Sequence, residues 1–282
     1  AIICNSGNAN TCNGQDGLLK AKKMAQLQAK ALNIKTDEVL VASTGVIGVP
    51  LNIDAIKSGI PLLTKKLSIE GSEDATEAIM TTDTTLKQIA LEFEIAGKTV
   101  IIGATCKGSG MIEPNMGTML SFITTDVSIS QELLDEALKS SVNISYNRVS
   151  VDGDTSTNDM VLIIANGLAE NPIISEKGED YYKFIEALNY LNVVLAKKIA
   201  RDGEGATKLI ECKVSGATSE SNAIKLAKSV IKSSLVKTAL FGSDANWGRI
   251  LCALGYSDVD FDPYKVDVYF TSSSGSIKAF SY

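Results

Sequence analysis

Apolar positions recur along this chain with two different periods, and the changes of period mark its elements. Ala21, Met24, Ala25 and Leu32 share one face at helical spacing, which predicts a helix over residues 18–33. Residues 53–66 and 73–80 read as two more helices. The opening run Ala1–Cys4 and residues 39–43 read as strands, the second breaking into a loop at Thr44-Gly-Val-Ile-Gly48 and Pro50. Residues 99–106, rich in β-branched side chains, predict a strand that enters a glycine-rich loop, and residues 119–125 predict the strand that leaves it. Ser128 with Gln131 fits a capping box ahead of a helix carrying Leu133, Leu134, Ala137 and Leu138. The unbroken apolar run Met160–Asn166 predicts a buried strand.

Residues 170–178 combine Pro, Gly and charge and form the predicted linker. Beyond it the pattern predicts a long helix over 181–200, a strand over 207–214 and a helix over 221–233. Strands near 237–241 and 264–271 complete the chain. Strands and helices mix without strict βαβ alternation, so α+β layers are expected rather than a doubly wound sheet. The expected division is a larger domain, 1–172, and a smaller α+β domain, 173–282.

Composition narrows the function classes. The 282 residues are 45% hydrophobic and 21% charged, which suits one large or two medium globular domains. A net charge of −6 without a basic block argues against a nucleic-acid partner. No apolar run approaches the roughly 18–20 residues of a membrane span. Cys4, Cys12, Cys106, Cys212 and Cys252 are scattered, odd in number and free of any CxxC pair. They read as reduced thiols of a cytosolic-type protein. Histidine is absent altogether, so a zinc site would need an unusual ligand set, and no structural metal is expected. The chain opens on a strand-like run without an initiator Met and stops just after the alternation of Val266, Val268 and Phe270. Both ends are therefore expected to lie inside structure, with a leading segment and any targeting signal missing.

The absence of histidine also sharpens the candidate chemistry. At the junction of the glycine-rich loop and the strand from Met119 stands one hydroxyl, Thr118, directly after Gly117. A threonine hydroxyl is a weak nucleophile and needs a base beside it. Cutting the Gly117–Thr118 bond would free an α-amine next to that hydroxyl, and an α-amine titrates at about 7.7–8.0, close to neutral pH. The bland alternative is an ordinary turn into a core strand. Lys107, ahead of a run of small residues, could hold a carboxylate. Thr44-Gly45, where a strand breaks, could aim a hydroxyl and a backbone N–H at an oxyanion, although a simple turn explains the same residues. Glu204, between Gly203 and Gly205, could grip a substrate amine. Asp152 to Asp159 looks like a calcium loop but has Thr157 in place of the required Gly and Ile163 in place of the required Glu. It reads instead as a turn that shapes a site or caps elements.

Taken in order, several segments resemble the ornithine acetyltransferase family, also called glutamate N-acetyltransferase or ArgJ. They are residues 5–10, 43–48, 80–84, 107–126, 152–159, 202–208 and 242–249. The resemblance implies a layered α/β/β/α-type catalytic domain containing a self-cleavage site between Gly117 and Thr118. It implies that Thr118 accepts the acetyl group and that Thr44 and Gly45 form the oxyanion hole. Thr81, Lys107, Thr118 and Glu204 match substrate-contacting positions. Gly117 departs from the family's usual Ala before the nucleophile. The family's first and last segments are not matched, so the chain resembles an internal fragment lacking both ends. The activity implied is transfer of acetyl from N-acetyl-L-ornithine to L-glutamate in arginine biosynthesis, with acetyl-CoA as a possible second donor and no other cofactor. The implied setting is cytoplasmic, as a heterotetramer of two α and two β chains. Two rivals stay open: an N-terminal-nucleophile amidase or aminopeptidase of related architecture, and a binding or structural protein without catalysis.

Overall fold

The computed structural model describes residues 1–113 and 119–281. They fall into two compact units, Ala1–Gly205 and Ala206–Tyr282. The first unit opens with β1 (Ile2–Asn5), α1 (Gly14–Leu32) and β2 (Leu40–Ser43). β1 and β2 run parallel, with Asn5 opposite Ser43. Helix α1 closes at Asn33, whose φ of 55° is left-handed, and Ile34 N–H bonds back to the Ala29 carbonyl at 3.0 Å. Asparagine tolerates this conformation better than most residues, so it ends the helix where glycine otherwise would. Helix α2 (Ile53–Lys66) packs beside α1. Ile3, Met24, Ala25, Val39, Leu51 and Ile60 bury the apolar stripes of these elements in one core.

Helix α3 (Ser72–Ala78) leads into a four-stranded sheet ordered β3 (Lys87–Ile95), β4 (Lys98–Lys107), β5 (Leu120–Thr125) and β6 (Met160–Ala165). β3 and β4 form a hairpin through Ala96 and Gly97, both with positive φ, as a two-residue turn of the primed type requires. β5 and β6 are parallel, so their connection must cross over, and it carries α4 (Gln131–Ile144). Helix α5 (Glu179–Arg201) lies against β3 and β4 and beside α4. Its Phe184, Leu188, Leu191, Leu195 and Ile199 fill the main core with Val100, Ile102 and Cys106 of β4. Side chains alternate along a strand. Once the even positions of β4 face α5, Thr105 and Lys107 must face the other way, and the Thr105 hydroxyl accordingly donates to Thr76 of α3 at 2.7 Å.

The second unit holds α6 (Glu220–Lys232), α7 (Ser234–Phe241) and α8 (Trp247–Gly255). A hairpin, β7 (Asp267–Ser272) with β8 (Gly275–Ser281), follows. Leu226, Val230, Val236, Ala253 and Leu254 form its core.

The mixed helix-and-sheet class agrees with the sequence reading, and several local expectations are corrected. Residues 237–241 are helical, not a strand: Ser233 caps α7 by accepting from Val236 N–H at 3.3 Å. Short apolar runs fit either structure, and the cap decides. Residues 207–214 form no strand, though Cys212 and Val214 still pack on the second core. The N-cap of α4 is Ser130, whose hydroxyl accepts from Leu133 N–H, while Ser128 is held by the Asn171 side chain through both its N–H and its carbonyl. The expected linker 170–178 is therefore fastened to the first unit, where Ile174 also exchanges two backbone hydrogen bonds with Ser128 and Ser130. The compact units part after Gly205, beyond the expected boundary at 172/173, because α5 belongs to the first core.

Candidate active site

Lys107 ends β4 with its side chain buried on the face opposite α5. Its ammonium donates to the Thr81 hydroxyl at 2.9 Å and to the Thr44 hydroxyl at 3.3 Å. Three separate segments thus meet at one cation: the end of β4, the loop after β2 and the loop after α3. Thr44 is buried; its oxygen accepts from Lys107, and among the described residues none takes its own proton, which can point at a ligand.

Gly45 follows with φ at 129°. A Cβ there would lie 2.5 Å from Asn8 N and 2.7 Å from Gly7 Cα, so only glycine lets the two backbones cross. Among the described residues none accepts a hydrogen bond from Gly45 N–H. The Asn5–Asn10 segment is what crosses it: Val46 N–H bonds to Gly7 O at 3.2 Å and Ala9 N–H to Val46 O at 3.0 Å. Asn158 locks the crossing from outside, donating to Ala9 O at 2.6 Å and Ser43 O at 3.1 Å. Two motifs that said little alone therefore support the Thr44-Gly45 turn.

Behind Lys107 sits a buried charge cluster. Asp83 accepts from Lys87 Nζ at 2.7 Å, Gly108 N–H at 2.7 Å and Thr81 N–H at 3.2 Å, and lies 3.8 Å from Lys107 Nζ. Lys87 also pairs with Asp202, which in turn accepts from the Thr84 N–H and hydroxyl. Burial pushes the Asp83 carboxyl up, but the hydrogen bonds from Lys87 and Gly108 outweigh it and hold the group below the usual range. Burial likewise opposes ionisation of Asp202, yet Lys87 and Thr84 bring it down to about 2. Burial lowers the Lys107 pKa, and the Asp83 charge offsets only part of that shift.

Glu204 stands on the neighbouring turn, exposed, with its N–H bonded to Ser109 O at 3.1 Å. Its carboxyl lies over Gly110, where a Cβ would meet the Glu204 Cδ at 2.5 Å. Asp152 accepts from the Met111 and Ile112 amides at 2.6 and 2.9 Å, so the Asp152–Asp159 segment anchors the glycine-rich loop. Gly117 and Thr118 lie outside the described residues. Met119, the next along the chain, is buried, and its carbonyl accepts from Met160 N–H at 2.9 Å. Asp159 lines a cavity with Met119, Val142 and Tyr146. Among the described residues neither of its buried oxygens has a hydrogen-bond partner in full geometry. Burial raises its pKa to about 7, with only partial relief from the Met119 amide and the Lys107 charge.

The structure thus brings Thr44, Thr81 and Lys107 into contact, sets Gly45 beside them, and puts Glu204 one hydrogen-bonded turn away. Sequence reasoning did not single out Asp83, Lys87, Asp202 or Asn158. Asp83, Asn158 and Asp202 had one signal, membership in the ordered segments 80–84, 152–159 and 202–208; Lys87 lies in none of them, and nothing local marks it as buried.

The chain matches the ArgJ family over residues 1–280. It belongs to that family. It is 58% identical over 278 residues to arginine biosynthesis bifunctional protein ArgJ 1 of Clostridium acetobutylicum, covering 99% of this chain and 68% of the relative. Identity is 53% over 278 residues to the ArgJ bifunctional protein of Caldanaerobacter subterraneus subsp. tengcongensis, covering 99% and 69%. Among solved structures, the ArgJ protein of Bacillus halodurans superposes with a TM-score of 0.53 at 51% identity, over 54% of this chain and 72% of that one. Among the described residues of this ArgJ member, no helix is long and apolar enough to cross a membrane.

Proposed function

We propose that this ArgJ member is an acetyltransferase of arginine biosynthesis that cuts itself before Thr118 and moves acetyl from N-acetyl-L-ornithine to L-glutamate. The observation that carries the reading is the convergence of Lys107 on Thr44 and Thr81, beside a glycine whose N–H no described residue takes. That arrangement offers a cation for a carboxylate and two donors for an oxyanion. In the proposed route the Thr118 hydroxyl attacks the acetyl carbonyl while the freed α-amine takes its proton. Thr44 and Gly45 hold the tetrahedral oxyanion, and ornithine leaves with the proton. The glutamate amine then attacks the acetyl ester, and the Thr118 oxygen recovers a proton as N-acetylglutamate departs. Glu204 is assigned to the substrate's ammonium, and Lys107 with Thr81 to its carboxylate end.

The proposed route uses no cofactor. Acetyl-CoA would enter the first half as an alternative donor, in keeping with the word bifunctional in the relatives' names. We place the enzyme in the cytoplasm, with small-molecule substrates rather than nucleic acid or membrane as partners, assembled from two α and two β chains. Intact mass spectrometry tests the processing: the protein should split between Gly117 and Thr118, and Thr118→Ala should stay whole and inactive. Splitting at the same bond in Thr118→Ala would mean an external protease. Free acetate in place of N-acetylglutamate would favour an amidase.

A further inference from the structure

We infer that Asp83 is a positioning residue of the proposed acetyl-transfer site: its buried carboxylate sets the place and the charge of the Lys107 ammonium and fixes Thr81 beside it. The inference rests on the proposed function and goes beyond it, since Asp83 need touch no substrate.

An ammonium has three protons. Lys107 directs two of them at Thr81 and Thr44, and the Asp83 carboxylate, at 3.8 Å, is too far to accept the third in a full hydrogen bond. Had Asp83 closed onto Lys107, the pair would cancel and leave no cation for an incoming carboxylate. Asp83 is held back because its Oδ1 already accepts from Lys87 and from the Gly108 amide, both at 2.7 Å. Lys87 is tied in turn to Asp202 at the end of α5, so the sheet and the longest helix brace the arrangement. The other oxygen, Oδ2, faces Lys107 and accepts from Thr81 N–H at 3.2 Å, which orients the very residue whose hydroxyl Lys107 holds. The Asp83 side chain is fully buried, so its field is little screened by solvent. Four charged or titratable groups act on Lys107: Asp83, Lys87, Cys4 and Asp159. Asp83 leads those that keep the ammonium protonated, and Lys87 opposes it.

The test is a double-mutant cycle with a pH profile, read as kcat/KM for N-acetylornithine. Asp83→Asn should lower kcat/KM by about tenfold in the wild-type background, within the range for directly coupled residues, and by less than about twofold in Lys107→Met. Its alkaline limb should move to lower pH, because Lys107 loses its proton more readily without the carboxylate. Lys87→Met, which removes the opposing cation and keeps Asp83, should move that limb to higher pH. Equal losses in both backgrounds, or an unmoved limb in Asp83→Asn, would make Asp83 a merely structural residue and overturn the inference. If Asp83→Asn does not fold, the Lys87→Met profile decides alone, and a limb that stays or falls overturns it. A wild type that transfers no acetyl at all sinks the proposed function and this inference together, whereas an active wild type with an additive cycle sinks the inference only.

Discussion

Gly45→Ala should destabilise the first unit severely, and the reason lies in backbone geometry rather than in any side chain. The added methyl would sit 2.5 Å from Asn8 N and 2.7 Å from Gly7 Cα, inside van der Waals contact. Neither backbone can retreat cheaply. Thr44 N–H is bonded to Asn5 O at 3.0 Å, Val46 N–H to Gly7 O at 3.2 Å and Ala9 N–H to Val46 O at 3.0 Å, so hydrogen bonds pin the crossing on both sides. Overpacking a rigid site costs about 1–3 kcal/mol. Forcing alanine to a φ of 129° adds strain of about 1–3 kcal/mol. The sum, about 2–6 kcal/mol, is a large part of the ~5–15 kcal/mol that holds a typical domain folded. Gly59→Ala is the matched control. Gly59 lies inside α2 with open space where its Cβ would go, so alanine there should stabilise by about 0.5–1 kcal/mol. Urea unfolding followed by far-ultraviolet circular dichroism measures both. A Gly45→Ala protein within about 1 kcal/mol of wild type would refute the pinned crossing, since the predicted loss starts at twice that.

Three further outcomes follow from the site. Lys107→Met should cost roughly 1.5–3 kcal/mol in kcat/KM if the ammonium makes a charge-assisted hydrogen bond to substrate, and an unchanged value for both substrates would remove it from the site. Thr44→Val keeps the β-branched shape, so it should lower kcat by about 10²–10³ in both half-reactions; lost stability with kcat intact would leave Thr44 an ordinary turn residue. Asp159, raised to about 7 in the fold, keeps a proton between about pH 4 and 7 that the unfolded chain gives up, so it erodes stability as pH rises through that window. Asp159→Asn should therefore lose less Tm than wild type between pH 4 and 7, and equal losses in differential scanning calorimetry would show that Asp159 is not the group responsible.

Periodicity alone was enough for most elements of the first unit, because an amphipathic helix or a buried strand repeats its signal over several turns or pleats. Helix α2 spans the expected residues 53–66, and β4 and β6 lie within a residue of the runs that announced them. The ordered motifs were enough to nominate Thr44, Gly45, Thr81, Lys107 and Glu204. Shorter pieces escaped. Residues 237–241 carry too few positions to separate a period of two from one of 3.6, and only packing on α6 and α8, with Ser233 as cap, makes them a helix. What tertiary structure alone decided was partnership across sequence distance. Lys87 looks like any strand lysine until Asp83 and Asp202 close on it, and Asn158 is one polar residue among many until it bridges Ala9 and Ser43. The same holds for the boundary after Gly205, which depends on which core receives α5. A local pattern records which face of an element is apolar. It carries no record of what that face, or a buried charge upon it, will meet.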